Sequence, residues 1–276
     1  PYIRGRFESR PMEDIIDEVN KLAKSGYKEI ILIAQDTTKY GIDIYGKPKL
    51  AELLKKLCKI DGIKWIRFLY AYPETIDDKL IKVVKKNEKI CKYFDIPIQH
   101  ISDSVLKRMN RKSNSESIEL LIKKLREKIP NVIIRTTVMV GFPGETQEDF
   151  EKLCNFVESA KFDKLGAFAY SKEEGTPAAK LKEQVHPMTK KARYNKIMEI
   201  QQKVSEENLN KYIGKQLEVL VEGKTIDGKY YVCRSYMDVP DIDGLIYLNN
   251  SKELKIGDFV KCTIKSSINE YDLLGE

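Results

Sequence analysis

The chain has 276 residues, 42% apolar and 33% charged, and its 49 basic residues are offset by 42 acidic ones to leave +7 and a pI near 8.9. That length accommodates one large domain or a medium one with a small one, and the mild positive bias is weak support for a nucleic-acid partner. Aliphatic runs such as Ile30 to Ala34 fall far short of the roughly 20 residues of a membrane span, Pro1-Tyr2-Ile3-Arg4 does not read as a signal peptide, and Cys58, Cys91, Cys154, Cys233 and Cys262 have neither metal-ligand spacing nor the pattern of a disulfide framework.

From Pro11 to about Ala169 helical and strand patterns alternate, the signature of parallel βα units. Pro11 suits a first helical position, and Ile15, Val19, Leu22 and Ala23 form an apolar stripe ending near Gly26. Strands are expected at Glu29 to Ala34, Trp65 to Leu69, Tyr93 to Ile96, Val132 to Val140 and Lys164 to Tyr170. Helices are expected around Leu50 to Leu57, Leu80 to Val84, Ile118 to Ile129 and Phe150 to Val157. Five strands cannot close an eight-stranded barrel, so an open partial barrel is expected. A long helix from Lys190 to about Asn210 follows.

After Gly214 the pattern changes to short strands at Leu217 to Val221, Tyr230 to Cys233, Leu245 to Leu248, Phe259 to Ile264 and Tyr271 to Leu274, which predict a small antiparallel β-barrel. The expected division is therefore residues 1–210 and 211–276. The second segment has nine Lys/Arg against eleven Asp/Glu, a net −2, which leaves +9 on the first.

In parallel βα architectures the loops that follow the strands carry the site. Those positions are Gln35-Asp36-Thr37-Thr38, Tyr70 to Glu74, Gln99-His100, Gly141 to Glu145 and Ser171 to Thr176, with Arg135 and Thr137 on one face of the fourth strand. Gly141-Phe142-Pro143-Gly144 is either a plain βα turn or a ligand-facing one, and His100 either a structural or a functional histidine. Arg135 in an apolar strand needs a partner or a ligand carboxylate. The cysteines fall on apolar faces and read as core. Tyr230, Tyr231, Tyr236 and Tyr247 lack surrounding positive charge, which favours packing or a protein contact over base stacking.

Pro1-Tyr2-Ile3-Arg4-Gly5-Arg6, Ser9-Arg10-Pro11, Ile30 to Gly41, Asp95 to His100, Arg135 to Glu145, and Tyr170-Ser171 with Glu174-Gly175-Thr176 resemble the radical-SAM methylthiotransferases, and the last 65 or so residues resemble a TRAM domain. The resemblance spans essentially the whole chain. It implies an α/β fold, a partial TIM-like barrel binding S-adenosylmethionine and a cysteine-ligated [4Fe-4S] cluster, followed by an OB-like barrel for substrate recognition. It also implies a CxxxCxxC motif ending just before Pro1 and an amino-terminal domain with a second [4Fe-4S] cluster. Neither is present, so the chain is expected to be a truncated, inactive part, lacking the barrel's first strand and ligating neither cluster.

By the same resemblance, Gln35 and Asp36 meet the methionyl end of S-adenosylmethionine, and Gln99 and His100 its ribose and sulfonium. Gly141, Phe142 and Gly144 meet the adenine, Arg135 and Thr137 the floor, and Arg4 flanks the cluster loop. The parent enzyme would cleave the cofactor to a 5′-deoxyadenosyl radical and methylthiolate the β-carbon of an aspartate in ribosomal protein S12, in the cytoplasm. The Gln35-Asp36 pair resembles the protein-modifying branch, whereas tRNA-modifying members carry Gln-Asn there, and a barrel at −2 suits a basic protein better than a nucleic acid. A tRNA methylthiotransferase and a non-catalytic binding module are the alternatives.

Overall fold

The computed structural model describes residues 5–249 and 252–276. Arg4 lies outside the described residues. The chain forms two compact units, residues 1–96 with 124–132, and residues 97–123 with 133–276.

In the first unit, α1 (Met12–Lys24) starts one residue later than its sequence pattern suggests, with Pro11 as the cap. Its first turn carries Glu13 and Asp14 and its last Lys21 and Lys24, the arrangement the helix dipole favours. β1 (Glu29–Leu32) pairs in parallel with β2 (Trp65–Phe68), Glu29 opposite Trp65 and Leu32 opposite Phe68. Between them come a 3-10 turn at Thr37–Lys39, the one-turn α2 (Ile42–Tyr45) and α3 (Leu50–Leu57), whose four leucines are all buried as their spacing requires. α4 (Asp78–Lys86) is longer than its apolar stripe because Asp77 caps it, accepting from Leu80 N at 2.7 Å. Phe68 and Phe94 meet edge to face at 5.4 Å in the core, where each such buried side chain contributes about 1.5–3 kcal/mol. Arg67, wholly buried in β2, bonds Glu29 Oε1 at 3.0 Å and stacks on the Tyr93 ring. An apolar cavity of about 580 Å³ lies beside β1, lined by residues including Ile15, Val19, Leu22, Ile31 and Leu53.

β3 (Tyr93–Gln99) runs three residues beyond its expected end. Pro97 reads as a breaker, but β3 is an outer strand of its sheet, where a missing N–H is tolerated. The second unit continues with α5 (Asp103–Arg108), too short to show a period in sequence, then α6 (Ser115–Lys128), which ends in the first unit. β4 (Ile133–Val140) lies between β3 and β5 (Lys164–Ala169), with Arg135 opposite Lys164. α7 (Gln147–Ala160) opens with a reciprocal capping box between Thr146 and Asp149. α8 (Pro187–Asn210) grips the turn before β5: Gln201 Nε2 donates to Phe162 O at 3.0 Å, and Asn208 Nδ2 to Lys161 O at 3.2 Å.

The chain then forms a closed barrel from β6 (Gln216–Lys224), β7 (Tyr231–Ser235), β8 (Ile246–Leu248), β9 (Phe259–Ser267) and β10 (Leu273–Gly275), in the order β10-β8-β7-β6-β9. It is not wholly antiparallel: β8 and β10 close it as a parallel pair. Among the described residues no helix is long and apolar enough to cross a membrane.

Candidate functional site

In the first unit the candidate site is the turn after β1. Asp36 is buried and caps the 3-10 turn, its Oδ1 accepting from Thr38 N at 3.2 Å and from Thr38 Oγ1. Thr38 Oγ1 also contacts Thr75 Oγ1, tying the turn to the loop after β2. Thr37 completes that tie, with Oγ1 donating to Leu69 O at 2.8 Å and N to Tyr70 O at 3.1 Å. The other Asp36 oxygen, Oδ2, is buried and has no hydrogen-bond partner among the described residues, although Lys39 Nζ lies 3.0 Å from it. Gln35 beside it is exposed. Tyr70, at the end of β2, sits at φ +60 with its N–H on Asp95 Oδ2, an unusual conformation for a non-glycine residue at a strand end.

In the second unit, Gln99 ends β3 at φ +68 and is half-buried. His100 turns inward. Its ring is wholly buried, Nδ1 accepts from Ser102 N at 2.9 Å, and Nε2, without a hydrogen-bond partner among the described residues, faces Glu145 Oε2 at 3.9 Å. Burial pushes its pKa down to about 4, with Arg193 adding to the effect and Asp149 opposing it. The ring is neutral at physiological pH, so the 3.9 Å approach is no ion pair.

The turn Gly141 to Gly144 is sealed from within. Glu145 Oε2 accepts from Gly141 N at 2.5 Å and Phe142 N at 3.2 Å, while its Oε1 holds Arg193 Nη1 of α8 at 2.9 Å. Burial raises the Glu145 pKa, opposed by Arg193 and by the two N–H donors. Gly144 N donates to Glu183 O at 2.7 Å. The turn's N–H groups are thus spent internally, and a ligand would meet its carbonyls and side chains instead. Gly141 is at φ +71, and a Cβ there would lie 2.4 Å from Lys190 Cγ, so both the turn and the close approach of α8 require glycine. Phe142 packs edge to face on Tyr170 at 5.2 Å, over Val105.

Asp149, which the loop-end criterion missed, collects Ser102 Oγ at 2.5 Å, Ser104 Oγ at 2.8 Å and Thr146 Oγ1 at 2.8 Å. Burial by itself would raise its pKa, but these donors hold the carboxyl well below the usual range. The Thr146-x-x-Asp149 spacing was the available signal, and it marks a cap.

Arg135 and Thr137 share one half-buried face of β4 with Met139. The partner that Arg135 required comes from the small barrel: Asp243 Oδ1 lies 3.9 Å from its Nε. In the same barrel the Tyr231 hydroxyl accepts from Leu254 N at 3.0 Å, and half-buried Tyr236 hydrogen-bonds Tyr212, so both serve packing.

A family model describing the radical SAM superfamily matches residues 1–157, and one describing the TRAM domain matches residues 213–276. The chain belongs to the radical SAM superfamily. It is 61% identical over its whole length to the ribosomal protein uS12 methylthiotransferase RimO of Alkaliphilus oremlandii, of which it covers 63%. It is 55% identical over its whole length to the RimO of a Thermoanaerobacter species, of which it covers 62%. The chain thus spans a little over three-fifths of these relatives. Among solved structures, coproporphyrinogen III oxidase (HemN) of Escherichia coli shares the fold, with a TM-score of 0.50, 17% identity, and 68% of this chain and 44% of that one covered.

Radical SAM proteins imply S-adenosylmethionine and an iron-sulfur cluster. The cluster needs several thiolates converging on one point. Here burial pushes the Cys154 and Cys262 thiols up to about 11 and Cys233 to about 12, and it raises Cys58. Among the described residues no three His, Cys, Asp or Glu side chains gather as a metal site. In the Asp36 turn the buried oxygen Oδ2 has the partly exposed Lys39 Nζ, 3.0 Å away, as its partner, next to an exposed Gln35.

Proposed function

We propose that this chain is the cofactor-binding and substrate-recognition part of a methylthiotransferase that modifies an aspartate of ribosomal protein S12. One observation carries the reading: the 61% identity to a RimO that extends over both the α/β segment and the small barrel. The division of labour follows the change of pattern, with residues 1–210 holding S-adenosylmethionine and the TRAM barrel, 211–276, holding the substrate. Cysteines of the longer parent supply the two [4Fe-4S] clusters, and the setting is the cytoplasm.

S-adenosylmethionine, when bound in the parent, supplies radical chemistry at an unactivated C–H bond. The residues of this chain bind and orient it. In the first unit Gln35 and the Asp36 oxygen that Lys39 faces offer acceptors to the methionyl end, while Thr37 and Thr38 hold the turn rigid. In the second unit Gln99 and Thr137 present polar groups, and the internally braced Gly141 to Gly144 turn offers the adenine a carbonyl and aromatic edge. His100 lies behind that turn, its Nε2 3.9 Å from Glu145 Oε2. The small barrel, at −2, complements a basic ribosomal protein, and its net negative charge disfavours phosphate binding.

The test is to supply the full-length parent with S-adenosylmethionine, reductant, a sulfur source and either S12 or tRNA, and to read each by mass spectrometry. A methylthio group on one S12 aspartate is expected. Unmodified S12 together with a methylthiolated tRNA adenosine overturns the reading.

A further inference from the structure

One loop of the small barrel carries two carboxylates that face two cations on adjacent strands. Arg135 of β4 and Lys164 of β5 are direct neighbours in the parallel register. Asp243 Oδ1 lies 3.9 Å from Arg135 Nε, and Asp238 Oδ1 lies 3.0 Å from Lys164 Nζ. Each carboxylate divides its two oxygens in the same way. Asp238 Oδ2 braces its own loop by accepting from Ser235 Oγ at 2.9 Å, and Asp243 Oδ2 does so by accepting from Val239 N at 2.9 Å. Both Oδ1 atoms face the strand cations. The loop is held from behind as well, with Arg234 Nη1 donating to Asp238 O at 2.9 Å and Arg234 Nε to Glu222 Oε1 at 2.8 Å.

All four side chains are well shielded, the carboxylates at 3% and 5% exposure and the cations at 21% and 12%. Shielding weakens salt screening and makes an unpaired partner costly. Gly244, next to Asp243, lets the loop pack against the segment before β10, since a Cβ there would lie 2.0 Å from Tyr271 O. A cleft of about 380 Å³ opens beside the pairs, lined by Gly166 of β5, Ser205 of α8 and Tyr271 and Asp272 of the barrel.

We propose that Asp238 and Asp243 form a two-point ionic latch on Lys164 and Arg135 that sets the orientation of the small barrel on β4 and β5, making Arg135 a positioning residue instead of a cofactor contact. Two parallel pairs fix rotation as well as position, which one pair cannot do. The consequence for substrate capture rests on the small barrel's being the recognition module; the latch itself does not.

The test uses distance labels at exposed Glu158 of α7 and Lys229 of the β6–β7 hairpin, with hydrogen exchange across residues 235–244. The wild type is expected to give one narrow distance distribution. Asp238→Asn combined with Asp243→Asn should broaden it and speed exchange of the loop about tenfold, with S-adenosylmethionine affinity unchanged. Because the paired neutralisation can disturb folding, the exchanged pair Arg135→Asp with Asp243→Arg is the second arm and should restore a narrow distribution. A distribution that stays narrow in the double Asn variant overturns the latch, as does failure of the exchanged pair to improve on Arg135→Asp alone. Loss of S-adenosylmethionine affinity in Arg135→Ala but not in Asp243→Asn returns Arg135 to the cofactor and also overturns it. A wild type that orients its barrel as described but shows no affinity for S12 removes the substrate reading and leaves the latch standing.

Discussion

The turns after β1 and β4 both contain an acidic residue next to polar or glycine-rich sequence, and the structure uses the two carboxylates in opposite ways. Glu145 is consumed: one oxygen takes two backbone N–H groups of its own turn and the other takes Arg193 from α8. Asp36 is divided: one oxygen caps the 3-10 turn while the other, buried, faces the half-exposed Lys39 Nζ of the same turn at 3.0 Å. A turn sealed by buried partners is a rigid wall, whereas one closed by a half-exposed lysine can exchange that partner for another donor. Loop composition does not distinguish them, because the difference lies in whether a distant element supplies the counter-charge.

The strongest way to break this contrast is Glu145→Ala, which orphans two N–H groups and leaves the Arg193 guanidinium buried without its partner. Breaking a buried pair of this kind costs about 3–5 kcal/mol. Urea unfolding checks it, and a loss below about 1 kcal/mol would show that the turn stands without its carboxylate.

The next effect is a pH dependence. His100 has its pKa lowered to about 4 in the folded state. Between the ordinary histidine value and about 4, the unfolded chain binds a proton that the folded one refuses, so stability falls as pH is lowered through this window, by at most about 3 kcal/mol. Glu145 acts in the opposite sense. Its raised folded pKa contributes stability below the unfolded carboxyl value, and that contribution disappears as pH rises through the folded one. Urea midpoints for the wild type and His100→Gln at several pH values separate the two. The variant should lose the decline on acidification, and an unchanged slope would mean that His100 is not its source.

The smallest expected stability change, and the most informative for function, is at Asp36. Asp36→Ala removes a cap and should cost about 1 kcal/mol, while Asp36→Asn retains a capping oxygen and should cost less. If Oδ2 receives a cofactor donor in place of Lys39, both variants weaken S-adenosylmethionine binding about tenfold by calorimetry. Equal affinity in all three proteins would make Asp36 a cap and nothing more.

Periodic apolar positions were legible in the sequence because burial acts locally on each face. The four leucines of α3, the alternation along β4 and the change to short strands after Gly214 all carry their periods in a few consecutive residues. Elements shorter than a period, such as α2 and α5, left no such trace, and Pro97 marked an end to β3 that its outer place in the sheet removed. The candidate site divided along the same line. The strand-end loops could be named in advance, but not that His100 faces inward or that Asp149 gathers three hydroxyls.

The sequence by itself determined the alternation of elements, the family and the opposite charge of the two segments, since these depend on residue types and nearest neighbours along the chain. Only the tertiary structure decided which charges are spent and which remain open. Arg135 needed a partner on any reading, and that partner, Asp243, lies 108 positions away on the small barrel. Electrostatic pairing depends on distance in space and on desolvation, and neither is written in the order of residues.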